Sequence, residues 1–475
     1  MSVIDTTRTQ DQLATALDGR EIDAFAASLR GTLIRPGDDQ YERARRVWNG
    51  MIDKRPGLIA RCAGTADVVT AVRFAREAGL QVAVRGGGHN VAGNAVNDGG
   101  IVIDLSPMKG ISVDSQRRLA RAQGGVTWGD LDRETQVHGL ATPGGEVSMT
   151  GIAGYTLSGG LGLLHRKWGL ACDNLLSVEV VTADGDVVHA SATKNPDLFW
   201  AVRGGGGNFG VVTWFEFQLH PLGPEVFSAT TIYALDDALS IMRAWRDFTL
   251  HAPNEVTSQA VFWSLPAIPD FPEEMHGMPI LITAGLYAGS VNDGERALAP
   301  LREFSEPVAD LSGPTNYVDM QMSFDDFFPD GVQYYWKSLS LNALEDAMID
   351  EIIDLARHRP SPDTLFALRH LGGAISEVAE DATAYGNRQA QYNLSLDATW
   401  RDPADNERNI AWVHGAWSDL RERLNAGVYL NFAGLGEEND LLARAGYGRN
   451  IERLRAVKRR YDPTNLFQGN INVAP

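Results

Sequence analysis

The chain has 475 residues, 44% of them apolar and 8% aromatic, which suffices for two to four domains with large cores. Its net charge of −19 excludes a nucleic-acid binder that works by neutralising phosphates, and favours a neutral or cationic small-molecule partner. Two cysteines, Cys62 and Cys172, exclude a disulfide framework and a cysteine-rich metal site, and no metal site of another kind is expected. The first twenty residues have no basic segment followed by an apolar run, and no stretch approaches 18 uninterrupted apolar residues. A soluble, cytoplasmic protein without membrane contact is therefore expected, monomeric or homo-oligomeric.

In chain order, residues 11–33 predict a short amphipathic helix. A strand at Ile59–Ala63, a helix at Thr65–Gly79 and a strand at Val82–Val84 then form a β-α-β unit. That unit ends in Arg85-Gly86-Gly87-Gly88-His89-Asn90-Val91-Ala92-Gly93. Three successive glycines favour neither helix nor packed strand, so they predict a turn whose free N–H groups suit an anion, phosphate above all. His89 stands at the mouth of this turn. A strand pair, Gly100–Leu105 with Arg118–Ala122, and a helix at Thr127–His138 follow.

The next dense stretch runs Thr150-Gly151-Ile152-Ala153-Gly154-Tyr155-Thr156-Leu157-Ser158-Gly159-Gly160-Leu161-Gly162. Its glycines predict a close approach of backbone to a flat or bulky partner. A strand at Leu176–Ala183 then turns at Asp184-Gly185. Gly205, Gly207 and Gly210 satisfy G-x-G-x-x-G, yet Val211–Leu219 reads as a strand where a dinucleotide fingerprint requires a helix, so a Rossmann site is excluded. Beyond Pro221–Pro224, strands (Thr230–Tyr233, Pro279–Tyr287, Gln391–Leu396) alternate with helices (Leu235–Leu250, Asn292–Phe304, Asp346–His358), an α+β pattern of antiparallel sheet covered by helices. A strand at Val428–Phe432 and a helix at Asn450–Tyr461 close the chain.

In this order Arg85-Gly86-Gly87-Gly88-His89, the glycine run from Thr150, Gly207-Asn208-Phe209-Gly210-Val211-Val212, Tyr429-Leu430-Asn431 and Tyr461-Asp462-Pro463-Thr464-Asn465-Leu466-Phe467 resemble the flavin oxidases with the vanillyl-alcohol-oxidase, or PCMH-type, FAD-binding fold, in the berberine-bridge-enzyme-like branch. The resemblance covers nearly the whole chain. It implies a two-domain α+β fold, with residues 1–224 and 433–475 binding FAD and residues 225–432 forming the substrate domain.

It also implies that Arg85, Gly86, Gly87, Gly88, His89, Asn90 and Gly93 hold the FAD pyrophosphate region, with His89 bonded to the flavin 8α carbon. Thr150, Gly151, Gly154, Gly159, Gly160 and Gly162 would lie along the isoalloxazine, Gly210, Val211 and Val212 at the adenine half, and Tyr429, Asn431, Asn470 and Asn472 beside the flavin. Val147 and Ser148 stand where some relatives place a second, cysteine link, so a single covalent link is expected. The implied reaction takes hydride from a C–H next to a hydroxyl or amine and passes the electrons to molecular oxygen.

Relatives often use a tyrosine as base where this chain has Phe432, which takes no proton. Tyr429, Tyr335 and Tyr155 are the leading replacements, with Tyr334, Tyr385 and His165 behind them, and an amine substrate would need no dedicated base. A dehydrogenase with another acceptor and a flavin-fold protein without catalysis are the alternatives.

Overall fold

The computed structural model describes residues 18–436, 438–469 and 471–475. The expected helix over residues 11–33 is seen as Gly19–Ser28, its earlier residues lying outside the described ones. Leu58–Arg61, Thr65–Glu77 and Val82–Arg85 form the β-α-β unit. The helix buries Val68, Ala71, Val72 and Ala75, spaced by three or four residues, against the sheet.

The four-stranded sheet runs Thr32–Ile34, Leu58–Arg61, Ile101–Asp104, Val82–Arg85, with the last three parallel. One expected pairing is not formed. Ile101–Asp104 stays in this sheet, while Leu119–Gln123 joins a separate five-stranded antiparallel sheet with Ile111–Asp114, Val211–Gln218, Leu175–Val181 and Val187–Ser191. Both segments alternate well enough to be strands; adjacency in sequence does not fix the partner. Leu175–Val181 and Val187–Ser191 make the expected hairpin, with Gly185 at φ +75° in its turn.

The rest of the chain builds an eight-stranded antiparallel sheet. Its order is Ala309–Asp310, Glu225–Ala234, Pro279–Tyr287, Val256–Ser264, Leu365–His370, Tyr392–Trp400, Gln333–Leu341, with Gly313–Asn316 also pairing to Glu225–Ala234. Helices Ala238–Thr249, Asp346–Arg357 and Asn406–Leu424 cover one face, where Trp245, Ile349 and Trp417 meet Phe262, Leu281, Leu339 and Leu396. Tyr392–Trp400 is buried at all nine positions. An antiparallel strand with one wet face would alternate, so the second face is covered as well, and what covers it is the glycine-rich half of the molecule.

The 428–432 segment departs from expectation: Leu430–Phe432 is a 3-10 turn, and the only bridge there joins Ser340 to Gly427. Helix Asn439–Tyr447 then spans the two halves, Leu442 packing on the large sheet's core and Ala443 and Tyr447 on the five-stranded sheet's.

Candidate active site

Between the halves lies a cavity of about 760 Å³, inside the ~300–1,000 Å³ range of ligand and cofactor pockets. One wall is backbone. Gly86, Gly87, Gly88, His89 and Asn90 line it together with Thr150, Gly151, Gly154, Gly206, Gly207, Gly210, Val211 and Val212. The two glycine loops touch main chain to main chain: a Cβ on Gly87 would sit 2.4 Å from Gly151 N, and one on Gly151 2.3 Å from Gly87 N. Gly88 has φ +70°, open to glycine without strain. Glycine is thus required here to bring the loops together and leave their peptides facing the cavity.

His89 is fixed by a stack. Its ring lies 4.2 Å from Trp48, whose other neighbour is Tyr334 at 3.8 Å, and Trp48 Nε1 donates to Phe328 O at 2.8 Å. Burial lowers the His89 pKa to about 4. The imidazole is therefore neutral at pH 7 and keeps a lone pair, the form that acts as a nucleophile. Its Nε2 is buried without a hydrogen-bond partner among the described residues. An orphaned nitrogen beside a cavity walled with peptide groups fits a flavin with a pyrophosphate tail.

Several residues expected at the cofactor are placed elsewhere. Arg85 turns away from the cavity, its guanidinium donating to the carbonyls of Ala44 and Arg45. Gly93, at φ +65°, lies under Ile52. Gly159, Gly160 and Gly162 pack on Tyr385, on Ala171 and Tyr155, and on the Gly144 carbonyl, so their small size serves protein–protein contact. Asn472 is tied to Asn439, its neighbour Ile471 lines the cavity instead, and Asn470 lies outside the described residues.

The tyrosines proposed as bases are committed otherwise. Tyr335 points to the helix-covered face, its hydroxyl donating to Leu435 O at 2.8 Å. Tyr429 accepts from Leu161 N at 2.9 Å and Asn431 Nδ2 at 2.8 Å, and burial pushes its phenol up to about 12. Tyr155 lines the cavity, but its hydroxyl donates to the Leu161 carbonyl and burial raises its pKa well above the usual value. Tyr334 is held in the Trp48 stack, Tyr385 lies under Gly159, and His165 is locked between Gly162 N and His370 O. Asn431, which does line the cavity, joins Tyr429 to the Tyr155 carbonyl at 3.1 Å. These groups hold the loops in place.

The opposite wall is the inner face of the large sheet, and it is made of side chains. Ile232, Val261, Trp263, Ile280, Ile282 and Leu365 give it an apolar floor, which Phe271, Phe324, Phe327 and Phe328 extend. Polar side chains interrupt it: the cluster of Arg369, Asp397 and Glu146 lines the cavity beside Phe432, with the Arg369 guanidinium 5.0 Å from the Phe432 ring, and Ser228, Thr230 and Gln259 line it from the neighbouring strands. Sequence reasoning passed over Trp48 and this cluster. A signal for Asp397 existed, since it is the lone charge in Tyr392-Asn393-Leu394-Ser395-Leu396-Asp397-Ala398-Thr399-Trp400.

The comparisons agree with this geometry. Residues 56–191 match the FAD binding domain family, and residues 428–474 match the family described as berberine and berberine like. An FAD-linked oxidoreductase of Bacillus subtilis is 31% identical, covering 94% of this chain and 97% of its own. The (R)-6-hydroxynicotine oxidase of Paenarthrobacter nicotinovorans is 33% identical, covering 95% and 98%. The crystal structure of 6-hydroxy-D-nicotine oxidase from Arthrobacter nicotinovorans superposes with a TM-score of 0.82 at 29% identity, covering 94% and 98%. The chain belongs to the berberine-bridge-like family of FAD-linked oxidoreductases, with its PCMH-type α+β fold.

Proposed function

We propose that the protein is an oxidase whose FAD is tethered through His89 alone, and that it oxidises a C–H next to a hydroxyl or amine on a mainly apolar small molecule, with oxygen reduced to hydrogen peroxide. The observation that carries the tether is the neutral, stacked imidazole of His89 with a buried, unpartnered nitrogen at the cavity edge. When bound, the flavin supplies the acceptor for two electrons and a hydrogen; the chain supplies position, dryness and charge. Peptide groups of the glycine loops hold the cofactor, Trp48 fixes the His89 ring, and the Tyr429–Asn431–Tyr155 network sets the 155–161 loop.

The substrate wall favours a ring-bearing alcohol or cyclic amine over a sugar. A sugar presents hydroxyls on every side, and those facing Ile232, Ile280, Ile282, Phe271 and Phe327 would stay unbonded. The amine reading draws support from the hydroxynicotine-oxidising relative and from two carboxylates against one guanidinium in the cluster.

An oxygen electrode and a peroxide assay with 4-methoxybenzyl alcohol, geraniol, N-methylpiperidine and cellobiose test the reading. Oxygen uptake matched by peroxide with one of the first three is expected; flavin bleaching without oxygen uptake would select the dehydrogenase instead.

A further inference from the structure

The strand register places Asp397 in an unusual row. Reading across the sheet, Ile280, Trp263, Leu365, Asp397 and Trp336 occupy successive strands on the cavity face. Leu365 lies opposite Asp397 on one side and Trp336 on the other, so the carboxyl is flanked by two apolar side chains and is 1% exposed. Asp397 Oδ2 accepts from Ser395 Oγ at 2.9 Å and stands 4.0 Å from Arg369 Nη2. Oδ1 has no hydrogen-bond partner among the described residues, although Asp397 lines the cavity. Arg369 itself is held by Ser395 Oγ at 2.7 Å and Glu146 at 3.8 Å.

A buried carboxylate oxygen with no partner costs free energy, and nothing in the packing of Leu365 or Trp336 repays that cost. A substrate group in the cavity would. Phe432 lies under the same Arg369 guanidinium and lines the same cavity as Asp397.

We propose that Asp397 is the base of the reaction, its carboxylate taking the proton of the substrate hydroxyl or amine. This rests on the oxidase reading above. In the balanced step the substrate O–H or N–H bond breaks and a carboxyl O–H forms on Asp397. The hydrogen of the adjacent C–H and its electron pair pass to the flavin, and oxygen later takes those two electrons and two protons as hydrogen peroxide. Arg369 is a positioning residue that keeps the carboxylate oriented through their shared Ser395 hydroxyl.

The charge state agrees. Burial raises the Asp397 pKa to about 6; Arg369 from the neighbouring strand and the Ser395 hydrogen bond oppose the rise, and Glu146 from the loop above adds to it. The carboxyl is ionised above that pH and basic enough to take a proton.

The test uses flavin-loaded wild type and Asp397→Asn, with equal flavin absorbance confirming that both fold. pH-difference infrared spectroscopy should show a carboxylic C=O band with a midpoint near pH 6 in wild type. That band should be absent from Asp397→Asn. Anaerobic flavin reduction by whichever of 4-methoxybenzyl alcohol or geraniol reacts in wild type should slow at least ~100-fold at pH 7.5, and the rate rise between pH 5 and 7 should vanish. Identical infrared titrations, or a variant within ~10-fold of wild type that keeps the same pH limb, would overturn the proposal. If no probe reduces the wild-type flavin, the oxidase reading fails, and the infrared titration alone decides whether Asp397 has the ionisation a base requires.

Discussion

The two walls of the cavity are built on opposite principles. The cofactor wall is main chain: Gly87 and Gly151 bring loop against loop, and Gly86, Gly88, Gly206, Gly207 and Gly210 line the cavity beside them. The substrate wall is side chain: a regular antiparallel sheet fixes the backbone, and Ile280, Trp263, Leu365 and Asp397 shape the space from a register that tolerates exchange. A wall of backbone has no freedom to vary without losing the loops, whereas a wall of side chains on strands changes by one residue at a time. The cofactor is thus specified by geometry that glycine alone allows, and the substrate by residues that a fold leaves free.

Acid is the sharpest way to part the two walls. His165, on the cofactor side, accepts from Gly162 N at Nδ1 and bonds the His370 carbonyl of the sheet through Nε2 at 2.8 Å. His370 in turn meets the Arg166 guanidinium through Nε2 at 2.8 Å. Both rings are buried and neutral: desolvation, with nearby cations adding, lowers His165 to about 4 and His370 to about 2. A lowered histidine pKa means that the unfolded chain binds the proton more readily. The contribution is therefore fully present above pH ~6.5 and is lost as pH falls toward 4, on the order of 3 kcal/mol per ring. Thermal unfolding should show a steep drop in Tm between pH 7 and 4.5, made shallower but not abolished in His370→Asn, which ends that ring's titration and leaves His165 titrating.

Gly151→Ala should cost about 3 kcal/mol, the upper part of the usual range for overpacking, because the new Cβ meets Gly87 N and backbone cannot yield. Flavin content should fall with it, measured as the flavin-to-protein absorbance ratio. On the other wall Ile280→Val should cost only ~1 kcal/mol, leave the flavin content unchanged, and shift KM among apolar substrates by enlarging the floor. Equal losses of flavin in the two variants would erase the distinction between the walls.

The same distinction explains what could be read in the sequence. Glycine runs announce a backbone-built wall directly, so the 86–90 and 150–154 segments and the start of the strand at 210–212 are recognisable as cavity-lining segments, and Thr65–Glu77 and Pro279–Tyr287 show their periodicity openly. Glycines that serve protein packing, such as Gly159 and Gly160, look the same in sequence as those that face a cavity; only the partner, Tyr385 or Ala171, separates them. Tyr335 lies away from the cavity for a related reason. Which face of Gln333–Leu341 meets the helices depends on register, and one position separates buried Tyr335 from cavity-lining Trp336. Asp397 and Arg369 meet only because Leu365–His370 pairs with Tyr392–Trp400, and Trp48 reaches His89 from 41 positions earlier in the chain. No local pattern encodes such contacts.

The most direct measurement is acid precipitation of the purified yellow protein beside His89→Ala, followed by mass spectrometry of the peptide that contains residue 89. The account predicts colour in the wild-type pellet, none in the variant pellet, and one FAD-derived mass on the His89 peptide. Colour that stays in the wild-type supernatant, or a pellet that remains yellow in His89→Ala, would contradict it.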